Sequence, residues 1–224
     1  MNGQFGNDGP TGAACAVCGT PTSPGFDDCY CCSTVRTQLA MSLVPVATVG
    51  DYVVGDATHR LLRGYKDGPT SAHCDLRARA IARRVEDWLD ERMGDASWFW
   101  GCDVVTAVPS SHRVGESPAG SLATRVPQLA ARYRSLLERG PAPTGHLRAA
   151  RRGFAVMECV DADWLRRQRV LVFDDSLTTG ARAQSAAFAL RWAGTTVIGI
   201  LAVGRARRLP ARPHHEHHQL SELG

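Results

Sequence analysis

The chain has little that would place it in a membrane, in the secretory pathway or on nucleic acid. None of its apolar runs approaches the roughly 20 residues needed to span a bilayer. The first twelve residues, MNGQFGNDGPTG, lack the basic start and apolar core of a secretory signal. With 26 basic and 22 acidic residues, the net charge of +4 gives a nucleic-acid partner little support. We therefore expect a cytoplasmic protein without a membrane partner, whose oligomeric state stays open.

Two common nucleotide-binding motifs are also missing. The sequence contains neither G-x-x-x-x-G-K-[ST] nor G-x-G-x-x-G after a strand, so nucleoside triphosphatases and dinucleotide-dependent enzymes lose their main support. The 224 residues, of which 44% are hydrophobic and 21% charged, suffice to bury a core. We expect one main domain of ordinary size and a small additional segment.

Cysteine is concentrated near the start of the chain. Five of the eight cysteines fall within 18 residues, as CAVC, ten further residues and CYCC. Two C-x-x-C pairs supply four soft ligands for a closed, structural Zn²⁺ site, and the missing secretion signal favours zinc over disulfides or free thiols. The predicted ligands are Cys15, Cys18, Cys29 and Cys32, and Cys31 can replace Cys32 as the fourth.

Strand and helix patterns alternate after the cysteines. Residues 44–54 predict a strand or an irregular strand pair, and the other predicted strands are 103–108, 154–160, 170–173 and 195–203. Helical periodicity covers residues 56–66, 75–93 and 122–137, with Pro127 either starting or kinking the last helix. Strands separated by helices predict an α/β fold with a mostly parallel, twisted sheet flanked by helices.

The segment VLVFDDSLTTGAR, residues 170–182, carries the main functional signal. An apolar strand ends in two carboxylates, and a short Ser, Thr and Gly loop leads into an alanine-rich helix. Loop amides, hydroxyls and the positive end of that helix can surround a phosphate. The carboxylates suit sugar hydroxyls or a hydrated Mg²⁺. We therefore expect a phosphorylated sugar at the carboxyl end of this strand, where open α/β sheets bind ligands.

FDDSLTTGAR resembles the phosphoribosyl pyrophosphate (PRPP) motif of type I phosphoribosyltransferases. Four cysteines followed by such a domain resemble the ComF family of competence-associated, amidophosphoribosyltransferase-like proteins. LLRGYKDG at 61–68 and VTAVPSSHR at 105–113 are similar to segments of that family. The resemblance implies four parts, which are a flexible N-terminus (1–14), a zinc ribbon (15–40), a phosphoribosyltransferase domain (41–205) and a flexible His-rich tail (206–224).

The resemblance implies that an unidentified nitrogenous acceptor displaces pyrophosphate from C1 of PRPP with the help of Mg²⁺. Asp174 and Asp175 would bind the ribose hydroxyls. Positioned cations and amides, not a covalent nucleophile, would stabilise the departing pyrophosphate. The residues expected around PRPP are Ser176, Leu177, Thr178, Thr179, Gly180, Ala181 and Arg182 at the 5-phosphate, and Ser110, Ser111 and Lys66 at the pyrophosphate.

Three features depart from the family pattern. Arg182 stands where the family commonly has Thr or Ser, and its guanidinium either clamps a phosphate or points into solvent. Residues 114–120 replace an Arg-rich segment and can form a mobile lid without its cations. The arginines of LRAARRGF (147–154) either bind phosphate or form an ordinary basic loop. The rival interpretation is a non-catalytic PRPP-binding protein or an adaptor in DNA uptake or processing, with the zinc ribbon as its contact surface.

Overall fold

A four-stranded parallel sheet forms the centre of the computed structural model, which describes residues 13–92, 101–110, 115 and 117–207. The six strands are β1 (Val46–Val53), β2 (Val104–Ala107), β3 (Leu137–Arg139), β4 (Phe154–Val156), β5 (Arg169–Leu177) and β6 (Thr196–Arg207). The sheet has the order β1-β6-β5-β2, and all three of its pairings are parallel. β3 and β4 form a separate antiparallel pair. The predicted α/β class and mostly parallel sheet are confirmed.

Helices flank the sheet, and several begin at the side-chain caps that their sequences supply. The described residues form the helices α1 (Tyr30–Leu39), α2 (Ala57–Asp67), α3 (Ser71–Glu91), α4 (Pro118–Ala123), α5 (Pro127–Ala130), α6 (Ala162–Arg166) and α7 (Ala181–Trp192). Asp56 accepts a hydrogen bond from the His59 N–H at 2.6 Å, and Thr70 accepts one from the His73 N–H at 3.2 Å. These oxygens satisfy amides that the first helical turns of α2 and α3 leave unpaired. Among the described residues, no helix is both long and apolar enough to cross a membrane.

The two faces of the sheet belong to different apolar clusters, and β5 contributes alternately to both. Leu171 and Phe173 pack into the cluster formed with α2 to α5, whereas Val170 and Val172 pack into the cluster formed with α7. Successive side chains of a strand point to opposite faces, so β5 is covered on both sides. The same alternation continues into Asp174 and Asp175 near the end of β5, so these two residues contact different neighbours.

The helix predicted over residues 122–137 is wrong. The structure has two short helices instead, α4 and α5, each with a proline in its first turn. Proline cannot donate the backbone hydrogen bond that a continuous helix needs at Pro127, and the preceding Val126 is extended. The helical spacing of Leu122, Val126 and Leu129 reflects their burial in one cluster. Pro127 therefore starts a helix, and the chain then returns to the edge of the sheet beside β2, where the Val105 N–H donates to the Arg132 carbonyl at 3.0 Å.

Other predicted boundaries shift because of partners distant in sequence. β5 extends past Phe173 to Leu177, since Asp174 and Ser176 pair with residues of β6. The strand predicted over 154–160 ends at Val156. Residues 114–120 were predicted to form a lid. Pro118 begins α4, and Ser117 caps this helix by accepting from the Gly120 N–H at 3.0 Å, so the second half of the predicted lid has regular structure. Residues 1–12 of the predicted flexible N-terminus and 208–224 of the predicted tail lie outside the described residues.

Candidate functional site

The carboxyl ends of β2 and β5 meet at one edge of the sheet. The Val108 N–H donates to the Phe173 carbonyl at 2.9 Å, which brings the chain after β2 alongside the end of β5. The Arg182 Nη2 then donates to the Pro109 carbonyl at 2.6 Å. The half-buried Ser110 follows Pro109 at this edge, and Ser111 lies outside the described residues. The parallel sheet thus assembles residues that lie more than 60 positions apart in the chain.

A cavity of about 430 Å³ lies at this edge, in front of the N-terminus of α7. Gly180 precedes the helix with φ +76°, a left-handed conformation that favours glycine, and a Cβ there would approach Leu177 to 3.3 Å. The Thr179 hydroxyl accepts from the Ala181 N–H at 3.4 Å. The lining residues are Thr144, Gly145, His146, Asp174, Ser176, Leu177, Thr178, Thr179, Gly180, Ala181, Arg182 and Ala183.

Asp174 is a buried carboxyl group in the wall of this cavity. Its pKa is raised to about 7, first by burial and then by the neighbouring Asp175 charge, while the Arg182 and Lys66 charges oppose the shift. Its Oδ1 accepts from the Asp175 N–H at 3.0 Å. A carboxyl group with this pKa is only partly ionised at neutral pH, and a ligand that donates hydrogen bonds or carries a cation favours the ionised form.

Asp175 faces the opposite side of β5, where α2 lies. Its Oδ2 forms an ion pair with the Lys66 Nζ at 2.6 Å and accepts a hydrogen bond from the Tyr65 hydroxyl. Its Oδ1 accepts from the Ser176 hydroxyl at 3.1 Å. Lys66 was predicted beside the pyrophosphate, and the structure places its ammonium on Asp175. Sequence reasoning missed Tyr65, although it adjoins Lys66 in the LLRGYKDG segment.

Arg182 lies within the site and not in solvent. Its side chain is half-buried, and its Nε atom is buried with no hydrogen-bond partner among the described residues. An unsatisfied buried N–H costs about 1–3 kcal/mol. Arg182 also lines the cavity, and the donor geometry of its guanidinium suits an anionic oxygen bound there.

Residues 144–150, which we call the strap, lie beside the loop of residues 178–180, and the first three of them, Thr144, Gly145 and His146, line the cavity. The His146 Nδ1 lies 3.4 Å from the Thr178 hydroxyl, and the Leu147 N–H donates to the Thr179 hydroxyl at 3.3 Å. Sequence reasoning missed both strap residues, because neither belongs to a local motif. Just beyond the strap, the Arg151 Nε donates to the Leu39 carbonyl at 2.8 Å, so this arginine has a structural partner.

The second candidate site is a cluster of four thiols near the N-terminus. The Sγ atoms of Cys15, Cys18, Cys29 and Cys32 all lie within 4.8 Å of one another, and Cys31 is not among them. The Cys18 and Cys29 sulfurs are 3.7 Å apart, close to the roughly 3.8 Å edge of a tetrahedral Zn–S₄ site. A hydrogen bond from Cys32 lowers the Cys18 pKa, whereas desolvation raises that of Cys29. These four cysteines can hold a structural metal ion such as zinc.

The cysteine cluster is joined to the sheet by polar contacts. Arg205 of β6 donates from Nη1 to the Cys18 carbonyl and, at 3.0 Å, to the Thr20 hydroxyl. The same guanidinium forms an ion pair with Asp51 of β1 at 3.0 Å. The Val46 N–H donates to the Val17 carbonyl at 2.8 Å. The cluster therefore has a defined position against β1 and β6.

The fold and the two sites define a parallel α/β protein with a candidate anion site and a candidate metal site. A comparison with protein-family models gave no match, and a comparison with curated proteins gave none either. The functional assignment therefore depends on the geometry of the residues.

Proposed function

We propose that the chain is a phosphoribosyltransferase that binds PRPP with Mg²⁺ and transfers the phosphoribosyl group to a nitrogenous acceptor. The observation that carries this proposal is the cavity at the carboxyl edge of the sheet. Its wall combines a buried carboxyl group, a hydroxyl-rich loop at a helix N-terminus and an arginine with an unsatisfied buried N–H. The resemblance of FDDSLTTGAR to the PRPP motif and of the wider layout to the ComF family supports the same assignment.

The parts of PRPP match the chemistry of this edge. The 5-phosphate fits the loop of residues 178–180, because the first amides of α7 and the threonine hydroxyls can donate to its oxygens. The ribose hydroxyls can donate to the ionised carboxylate of Asp174 in the cavity wall. Asp175 faces the other side of β5, so it would accept from the sugar only if the ring lies across the end of the strand and Lys66 has left its carboxylate. The pyrophosphate carries the most negative charge and fits beside Lys66, Arg182 and the chain after β2.

Transfer breaks the bond between C1 and the pyrophosphate oxygen, which leaves with the electron pair, while the acceptor nitrogen bonds to C1 and loses a proton. Positive charge develops on the sugar ring near Asp174 and Asp175. Negative charge develops on the pyrophosphate, where Arg182 and Lys66 offer cations. Lys66 would exchange its Asp175 partner for pyrophosphate. Mg²⁺, held mainly by substrate oxygens and waters, would neutralise the leaving group.

We also propose that the four cysteines bind one Zn²⁺ as a structural element. The cluster offers four soft ligands and no open coordination position, so its metal would not take part in transfer. Burial, and to a lesser extent the neighbouring Cys18 charge, raise the pKa of the Cys29 thiol, so a bound cation would favour its thiolate form.

Titration calorimetry with PRPP and Mg²⁺ tests the proposal. Asp174→Asn removes a charged acceptor and should weaken binding about 10- to 100-fold, and Thr179→Val should weaken it about fivefold. Matched controls are Asp163→Asn on the exposed α6 and Thr196→Val at the amino end of β6, which should bind as the wild type does. The proposal fails if the wild type does not bind, or if neither site variant differs from its control.

A non-catalytic adaptor is the second candidate, and exposed aromatic residues favour it. Phe26 is 65% exposed and Tyr30 is 74% exposed. Both belong to residues 13–40, the segment that carries the four clustered cysteines and that we call the cysteine element. Pyrophosphate release with a panel of bases, amines and ammonia separates the two functions, because an adaptor should release none beyond spontaneous hydrolysis. Single-stranded DNA binding that weakens steeply with salt would support the adaptor.

A further inference from the structure

One side chain of α1, that of Gln38, forms hydrogen bonds to two backbone groups of the strap. The Gln38 Nε2 donates to the Leu147 carbonyl at 2.9 Å, and the Gln38 Oε1 accepts from the Ala149 N–H at 2.6 Å. One amide group thus satisfies two backbone groups of the strap, which fixes both its distance from α1 and its rotation. Gln38 itself lies outside the cavity wall.

The front of the strap contacts the loop of residues 178–180 and the helix that follows. The Leu147 N–H and the His146 ring meet the hydroxyls of Thr179 and Thr178 at 3.3 and 3.4 Å. The Ala150 N–H donates to the Ser185 hydroxyl of α7 at 3.0 Å. Both threonine hydroxyls that line the cavity therefore take their orientation partly from the strap.

Leu147 has a backbone conformation that needs support. Its φ of +53° lies in the left-handed region, which is unfavourable for a residue with a side chain. Its N–H is bonded to Thr179 on the cavity side, and its carbonyl is bonded to Gln38 on the α1 side. The two bonds lie on either side of the strained residue, so loss of the Gln38 amide removes the support on its carbonyl side and loosens the preceding peptide, whose N–H contacts the Thr179 hydroxyl.

The position of Gln38 depends in turn on the cysteine element. α1 begins directly after Cys29 and carries Cys32 in its first turn, so two of the four clustered cysteines define its start. Further along, Val35 and Leu39 pack with Ala181 and Phe188 of α7. α1 is therefore fixed at one end by the cysteines and along its length by the helix that begins at the cavity.

We propose that Gln38 is a positioning residue for the 5-phosphate subsite, holding the strap so that Thr178, Thr179 and His146 face the bound phosphate. This inference rests on the proposed function, because it takes the cavity to be the site of a phosphorylated sugar. It assigns the cysteine element a role in sugar-phosphate affinity without any contact with the ligand.

The test compares two ligands that use different parts of the site, ribose 5-phosphate and inorganic pyrophosphate, each titrated with Mg²⁺. Gln38→Met keeps the side-chain length and removes both hydrogen bonds. It should weaken ribose 5-phosphate binding about five- to tenfold and leave pyrophosphate binding within about twofold. Gln38→Glu keeps the acceptor and loses the donor, so its affinity should fall between those of Gln38→Met and the wild type. Thr37→Val, on the same helix, is the matched control.

The outcomes separate a positioning role from a merely structural one. A general loss of folding would weaken both ligands equally, and this result would overturn the inference, as would wild-type affinity for ribose 5-phosphate in Gln38→Met. If Gln38→Met does not fold, the milder Gln38→Glu decides between the same outcomes. If the wild type binds neither ligand, the proposed function fails together with the inference, whereas normal wild-type binding with insensitive variants contradicts the inference alone.

Discussion

The cysteine element, residues 13–40, and the β5–α7 unit, residues 169–192, reach an ordered structure in different ways. Residues 170–173 of β5 are completely buried between two apolar clusters. In the part of the cysteine element before α1, Cys15 and Val17 are the buried apolar residues that the structure describes. So small an apolar cluster contributes little transfer free energy. The comparison teaches that apolar burial stabilises the β5–α7 unit, whereas the part of the cysteine element before α1 has little apolar burial and would depend on a metal ion held by its four thiols.

The largest effect should follow from a cavity in the β5–α7 unit. Phe173→Ala removes a fully buried ring and should lower the free energy of unfolding by about 3–5 kcal/mol. Denaturant unfolding measures this change, and metal analysis of the folded variant should give the wild-type zinc content. A parallel loss of zinc from the folded variant would show that the two regions are not independent.

A somewhat smaller effect should follow from loss of one clustered cysteine. If a structural zinc contributes about 10–16 kcal/mol through four ligands, Cys32→Ser should weaken zinc binding by about 100-fold or more. Competition with a chromogenic chelator measures the affinity. Cys31→Ser is the matched control on the same helical turn and should bind zinc normally, because Cys31 lies outside the cluster. Equal losses in both variants would contradict the assignment of the fourth ligand.

The buried carboxyl group of the β5–α7 unit should make the stability of the protein depend on pH. The folded pKa of Asp174 is raised from 3.8 to about 7, so its stabilising contribution is complete below about pH 4 and is lost as the pH rises through 7. Asp174→Asn does not titrate and should be more stable than the wild type at pH 8, without ligand, by more than it is at pH 4. Thermal unfolding at both pH values measures this, and a pH-independent difference would refute it.

The smallest effect should follow from weakening the contact between the cysteine element and β6, the strand that pairs with β5. Arg205→Met keeps the stem of the side chain and removes its bonds to the Cys18 carbonyl, Thr20 and Asp51. The partly exposed setting limits the expected loss to about 1 kcal/mol. Limited proteolysis should cut the cysteine element faster in the variant, with little change in the global unfolding midpoint. Unchanged proteolysis would show that Arg205 does not hold the element.

Local patterns made the central part of the fold predictable. The apolar run into Asp174 and Asp175, the Gly180 turn and the alanine-rich segment after it predicted the βαβ unit, because each signal spans only a few residues. The spacing of CAVC and CYCC likewise predicted four clustered cysteines. The fourth ligand was left open, since the structure places Cys32 with the cluster through the geometry of α1, which spacing alone does not define.

Contacts between distant positions made the rest unpredictable. Tyr65 and Asp175 are 110 residues apart, and Gln38 and Leu147 are 109 apart, so no local motif joins either pair. The prediction of one helix over residues 122–137 was wrong for a different reason. Burial on one side gave two short helices the apolar periodicity of one long helix. Local motifs therefore predicted the site residues that are close together in the chain, but they did not predict the contacts between site residues that are far apart in it.

The continuation of β5 through Leu177 limits how the length of this chain can vary. Asp174 and Asp175 sit in register with β6 on opposite faces, one toward the cavity and the other toward Lys66. Inserting or deleting one residue between Phe173 and Leu177 would exchange their environments and turn apolar neighbours outward. Length changes among relatives of this chain should therefore occur in connections such as residues 140–143 and not within this strand.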